Sequence, residues 1–151
     1  MLYTETLKEF YDYEVEPINI FVMEKPNVNR VEEKNYTKDG IHIIITLKME
    51  HSLQLELRNR MIKLLPISLK HLTLINDWNN VYDEGVVKGT CNWNLYGSRK
   101  PANEAYELKY AFKCQIDKSD NEFMIEDVTN NIKGINSYEI VKLLSVRMKV
   151  N

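Results

Sequence analysis

Five side chains in this sequence have the chemistry of a metal ligand beyond the carboxylates: His42, His51, His71, Cys91 and Cys114. A zinc site gathers four ligands, usually from pairs spaced two to four residues apart. Here the cysteines are 23 positions apart and the histidines are scattered, so half-buried or surface histidines are the better account, and no cofactor is expected. Asp117-Lys118-Ser119-Asp120-Asn121-Glu122 opens like a calcium loop, but the sixth position is Glu122 instead of glycine and the twelfth is Val128 instead of glutamate. It reads as a turn. Nucleophilic catalysis needs a base beside the serine or cysteine, and no nucleophile elbow, phosphate-binding glycine loop, dinucleotide fingerprint or zincin helix is present. The adjacent acids Glu32-Glu33 and Asp83-Glu84 read as solvated pairs. These observations lead to the expectation that the chain is not an enzyme.

The remaining candidates are contact residues. Arg99 and Lys100 lie in a loop suited to phosphate or carboxylate. Asn29, Arg30, Val31 and Tyr36 lie in a polar stretch, 26–38, with too few apolar residues to hold it against a core. That stretch is expected to be an arm or hairpin, 26–40, ordered by another chain.

The elements that position these residues follow from periodicity. A stripe of Tyr3, Leu7, Phe10 and Tyr11 predicts a short helix near 2–13, ended by Pro17. Ile18 to Met23 is an apolar run that fits a strand covered on both faces. Asp39-Gly40 suits a type I′ hairpin turn leading into an alternating strand at 41–50. Residues 53–65 fit both periods, and their strong helix formers favour helix, ended by Pro66. A second helix is predicted at 68–82 with Ser68 as its cap. Alternation over 87–95 and 106–116 predicts a long hairpin that buries Trp93 and leaves Asn92 and Asn94 in solvent. Its register sets Cys91 opposite Tyr110 and Cys114 opposite Val87, which leaves two free thiols. A strand at 122–128, a loop at 129–136, a helical turn capped by Ser137 and a closing strand at 144–150 complete the chain. The fold class is α+β: mainly antiparallel sheet with long hairpins, packed with two or three short helices, in one domain over 1–151.

Charge and composition bound the partners. Twenty basic against twenty-two acidic side chains give a net charge of −2, without the basic excess of a duplex-DNA binder. Six acids against two lysines occupy 1–25, and five acids against one lysine occupy 117–127; residues 41–75 lean basic. Unequal faces suit a protein partner or a homo-oligomer. No signal peptide and no membrane span is legible, which predicts a cytoplasmic or virion protein. No small-molecule ligand is evident. Abundant Asn, Lys and Ile beside three Ala, five Arg and five Gly point to an AT-rich genome, bacterial, phage or viral. The element order is similar to that of phage tail-completion and connector subunits, so the leading expectation is a non-catalytic protein-binding or assembly subunit. The alternatives are a small inhibitor or adaptor protein, and a single-stranded nucleic-acid binder using the basic 41–75 region.

Overall fold

The structure, a computed structural model, describes residues 2–10, 17–90, 93–117 and 122–145. Among the described residues, a four-stranded antiparallel sheet, a two-stranded sheet and six α-helices establish the α+β class. The helices outnumber the two or three expected. The chain divides into two compact units, residues 1–16 with 47–93 and residues 17–46 with 94–151. No helix among the described residues is long and apolar enough to cross a membrane.

The first unit is helical. α1 (Leu2–Leu7) confirms the start of the expected N-terminal helix and buries Thr4, Thr6 and Leu7. α2 (His51–Ser68) resolves the ambiguity of 53–65, because Leu57 and Met61, one turn apart, are both buried. Pro66 does not end this helix. It removes only one hydrogen bond of the last turn, and the amide of Leu69 still bonds the Leu65 carbonyl at 2.8 Å. The expected helix at 68–82 is correspondingly absent: Ser68 closes α2, and only α3 (Trp78–Val81) forms, capped by Asp77. Arg58, 4% exposed, joins these pieces by donating to the carbonyls of Tyr82 and Asn79, each at 3.0 Å.

The expected strand at 87–95 is also corrected. Asp83, read as one of two solvated acids, accepts from the Gly85 amide at 2.9 Å and starts α4 (Glu84–Val87). Gly89 then takes a left-handed φ of 66°, and a Cβ there would lie 2.7 Å from the His51 ring, whose Nδ1 is bonded to the Val87 carbonyl. Helix and turn thus replace the strand, and the long hairpin does not form. Trp93 is half-buried and outside any strand, while Asn94 is exposed. Cys91 and Asn92 lie outside the described residues.

The second unit holds the sheet, ordered β4-β1-β5-β6. β1 (Ile18–Glu24) is the apolar run, flanked by β4 (Ile41–Ile45) and β5 (Glu107–Ile116), with Phe21 fully buried at its centre. β5 pairs in turn with β6 (Phe123–Asp127), so Cys114 faces Ile18 and Ile125 instead of Val87. Cys114 is a buried free thiol. The register shifts between Val22–Tyr110 and Met23–Leu108, which leaves Lys109 as an extra residue. That bulge breaks the expected inward stripe: Tyr110 is 44% exposed and Ala111 is fully buried.

Asp39-Gly40 is not a hairpin turn. The strand before it, β3 (Tyr36–Lys38), pairs with β2 (Asn29–Val31), whereas β4 pairs with β1. Neither residue has the positive φ that a type I′ turn requires. Residues 29–38 instead form their own small hairpin around a 3₁₀ turn at Glu32–Lys34, with Asn35 in the left-handed region. The expected strand at 41–50 stops at Ile45.

Residues 129–136, expected as loop, include α5 (Thr129–Lys133); the Thr129 hydroxyl accepts from the Ala111 amide at 2.9 Å. α6 (Ser137–Leu143) is capped by Asn136, one residue before the expected cap. Leu144 ends that helix instead of starting a strand, and 146–150 lie outside the described residues.

Candidate functional site

Antiparallel pairing gathers three distant segments at one end of the large sheet. Glu24 is opposite Ile41 on one side and Glu107 on the other. The end of β1, the start of β4 and the start of β5 therefore meet, bringing Lys25, His42 and Tyr106 together. The His42 and Tyr106 rings are stacked, with centroids 3.6 Å apart and planes 14° from parallel. The Lys25 ammonium lies 5.5 Å from the Tyr106 ring centroid and donates to Asn103 Oδ1 at 3.2 Å.

Asn103 and Lys100 connect this cluster to a cleft of about 450 Å³, also lined by Asn29, Arg99, Pro101 and Glu104. The cleft wall is fixed from below by Asn27, whose backbone amide and side-chain amide donate to the two Glu104 oxygens at 3.0 and 2.7 Å. Those bonds hold the Glu104 carboxyl below its ordinary range. Burial lowers the His42 pKa, and the nearby positive charges of Lys25 and Lys100 lower it further. The imidazole is therefore neutral at pH 7, beside two ammonium groups. Burial and the Asp39 carboxylate raise the Tyr106 pKa, so its hydroxyl keeps its proton. Lys25, Arg99 and Lys100, a neutral imidazole and amide side chains thus gather at or beside one cleft, a set able to donate hydrogen bonds to an anion.

Of the residues expected from the sequence to make contacts, Asn29, Arg99 and Lys100 share this cleft. Arg30, Val31 and Tyr36 lie in the small hairpin, where Val31 pairs with Tyr36. Lys25, Asn27, Asn103, Glu104 and Tyr106 were not singled out by sequence reasoning, and His42 was weighed only as a metal ligand. A second cleft, about 520 Å³, lies in the helical unit beside Arg58, Asp83 and Glu84. Its charged groups serve local structure: Arg58 holds two carbonyls, Asp83 caps α4, and Glu84 pairs with Lys88 at 3.0 Å.

A protein-family model described as the C962R protein N-terminal AEP domain matches residues 1–112, about three quarters of the 151-residue chain. The chain belongs to this family. AEP denotes archaeo-eukaryotic primase, and AEP domains are typically catalytic, which corrects the expectation of a protein that is not an enzyme. The match supports a viral origin, one of the sources that the AT-rich composition left open. It includes every residue of the basic cleft. No curated protein matches the chain.

Polymerase-type transfer uses divalent ions held between carboxylates. Among the described residues of this AEP domain, no three His, Cys, Asp or Glu side chains gather to hold such an ion. The described side chains do not themselves supply a carboxylate cage for such an ion.

One pH effect follows from His42. The folded protein keeps the ring neutral below its ordinary pKa of 6.5, so there the unfolded chain binds the extra proton. Stability therefore rises with pH through the window just below 6.5 and is level in this term above it. His42→Gln is expected to flatten that window in urea denaturations between about pH 5.5 and 7.5. Equal slopes in the two proteins would contradict a neutral, half-buried His42.

Proposed function

We propose that this chain is a primase-type nucleotidyl-transfer domain of a viral replication protein, and that the basic cleft receives nucleotide phosphates. The observation that carries the reading is the convergence of Lys25, His42 and Lys100 at one sheet end, inside the span matched by the AEP family. Lys25 and Lys100 supply positive charge where a polyphosphate is negative, and Arg99 supplies a planar donor pair. The neutral His42 ring adds hydrogen-bonding capacity without a third repelling charge beside the lysines. Fixed donors of this kind stabilise charge that develops on a transferring phosphoryl group, because they are already oriented. Glu104, tied to Asn27, shapes the wall and keeps its carboxylate turned to its own partner.

The test is competition binding with a fluorescent nucleoside triphosphate. Unlabelled triphosphate should displace it and the bare nucleoside should not, with affinity falling steeply as salt rises. Displacement by the nucleoside at equal concentration, or no binding at low salt, would overturn the reading.

A further inference from the structure

The geometry points to Tyr106 as the positioning residue of the phosphate cleft, its ring fixing the His42 imidazole and the Lys25 side chain in one arrangement. This inference rests on the phosphate reading given above. Three observations carry it. The Tyr106 ring is stacked on His42 at 3.6 Å, a contact available to few other side chains. The same ring lies 5.5 Å from the Lys25 ammonium, within cation–π range. Gly40 leaves room for the phenol: a Cβ there would sit 2.6 Å from the Tyr106 hydroxyl oxygen and 3.7 Å from Cζ. Gly40 has no left-handed φ, so no turn geometry calls for a glycine there, while a Cβ would press on the outer end of the Tyr106 side chain.

Tyr106 therefore acts through its neighbours. Two long side chains carry the positive charge and the imidazole, and each has several rotamers to lose on binding. A ring stacked on one and facing the other removes that freedom before ligand arrives. The Asp39 carboxylate is held to the backbone beside this contact, accepting from the Gly40 amide at 2.8 Å.

The experiment compares Tyr106→Phe, Tyr106→Leu and Gly40→Ala with the unaltered chain. One readout is nucleoside triphosphate binding; the other is the His42 ring resonance and its titration by NMR without nucleotide. Tyr106→Phe keeps the ring and should bind within about twofold. Tyr106→Leu and Gly40→Ala, which remove the ring or displace it, should weaken binding by about tenfold and shift the His42 resonance. Gly40→Ala reaches the same contact from the other side, so it decides the matter if Tyr106→Leu does not fold. Unchanged binding and an unmoved His42 resonance in the folded variants would overturn the positioning role while leaving the phosphate reading intact. Failure of the unaltered chain to bind triphosphate would instead overturn that reading, and this inference with it.

Discussion

Phe21→Ala should lower the free energy of unfolding by about 3–5 kcal/mol, measured by urea denaturation. Phe21 has no exposed surface and sits at the centre of β1, one of the two strands with paired neighbours on both sides. Its cross-strand partners are Ile44 and Ala111, and Ala111 is itself fully buried and small. Neither can expand to fill the space of a lost ring, so the cavity term adds to the lost transfer term. A loss of this size is a large fraction of the roughly 5–15 kcal/mol that holds a domain together. Tyr110→Ala on β5 is the control: its ring is 44% exposed, so the cost should be clearly smaller. A loss below about 1 kcal/mol for Phe21→Ala would mean β1 is not the core strand.

The largest functional effect is expected from Lys25→Ala combined with Lys100→Ala. Hydrogen bonds to charged groups contribute roughly 1.5–3 kcal/mol each. Losing two should weaken triphosphate binding by at least about a hundredfold. Lys100 lines the cleft and Lys25 is joined to its wall through Asn103, so the two charges approach a ligand from different segments of the chain. Both also depress the His42 pKa, so the double variant should raise it, a change readable by NMR without ligand. Lys133→Ala combined with Lys142→Ala, on α5 and α6, serves as the charge-matched control and should leave binding within about twofold. Equal loss in control and double variant would show that net charge, and not this cleft, governs binding.

The strongly patterned segments were legible in the sequence. The apolar run at 18–23, the alternating run at 106–116 and the leucine stripe at 53–65 became β1, β5 and α2. Periodicity failed where local capping overrode it. Val87 to Leu95 alternates as a strand would, yet Asp83 caps a helical turn through the Gly85 amide and Gly89 turns left-handed against His51. At 129–136 local bonds also outweigh the polar pattern: the Asp127 carboxylate accepts from the Thr129 amide, and α5 follows without a side-chain cap of its own. Asp39-Gly40 misled because composition does not reveal which strands pair, and its glycine answers to Tyr106 and not to a turn.

The candidate site was legible only in part. Arg99, Lys100 and Asn29 stood out as polar loop residues. Lys25, His42 and Tyr106 are separated by up to 81 positions and meet only through the β1–β4 and β1–β5 registers. His42 alone reads as the polar side of a strand. No local spacing encodes a cluster assembled by sheet pairing. The expectation of a protein that is not an enzyme was overturned by the family match alone, because no contiguous catalytic motif stands in the sequence.

The central claim is that nucleotide phosphates bind at the sheet end holding Lys25, His42 and Lys100. Its most direct test follows the His42 ring by two-dimensional NMR while a nucleoside triphosphate is titrated into the full chain. The expected result is a saturable shift of the His42 resonances, together with a rise in its pKa as the bound anion favours the imidazolium. A saturable shift centred on Arg58 in the helical unit, or an unmoved His42 at saturating nucleotide, would contradict it.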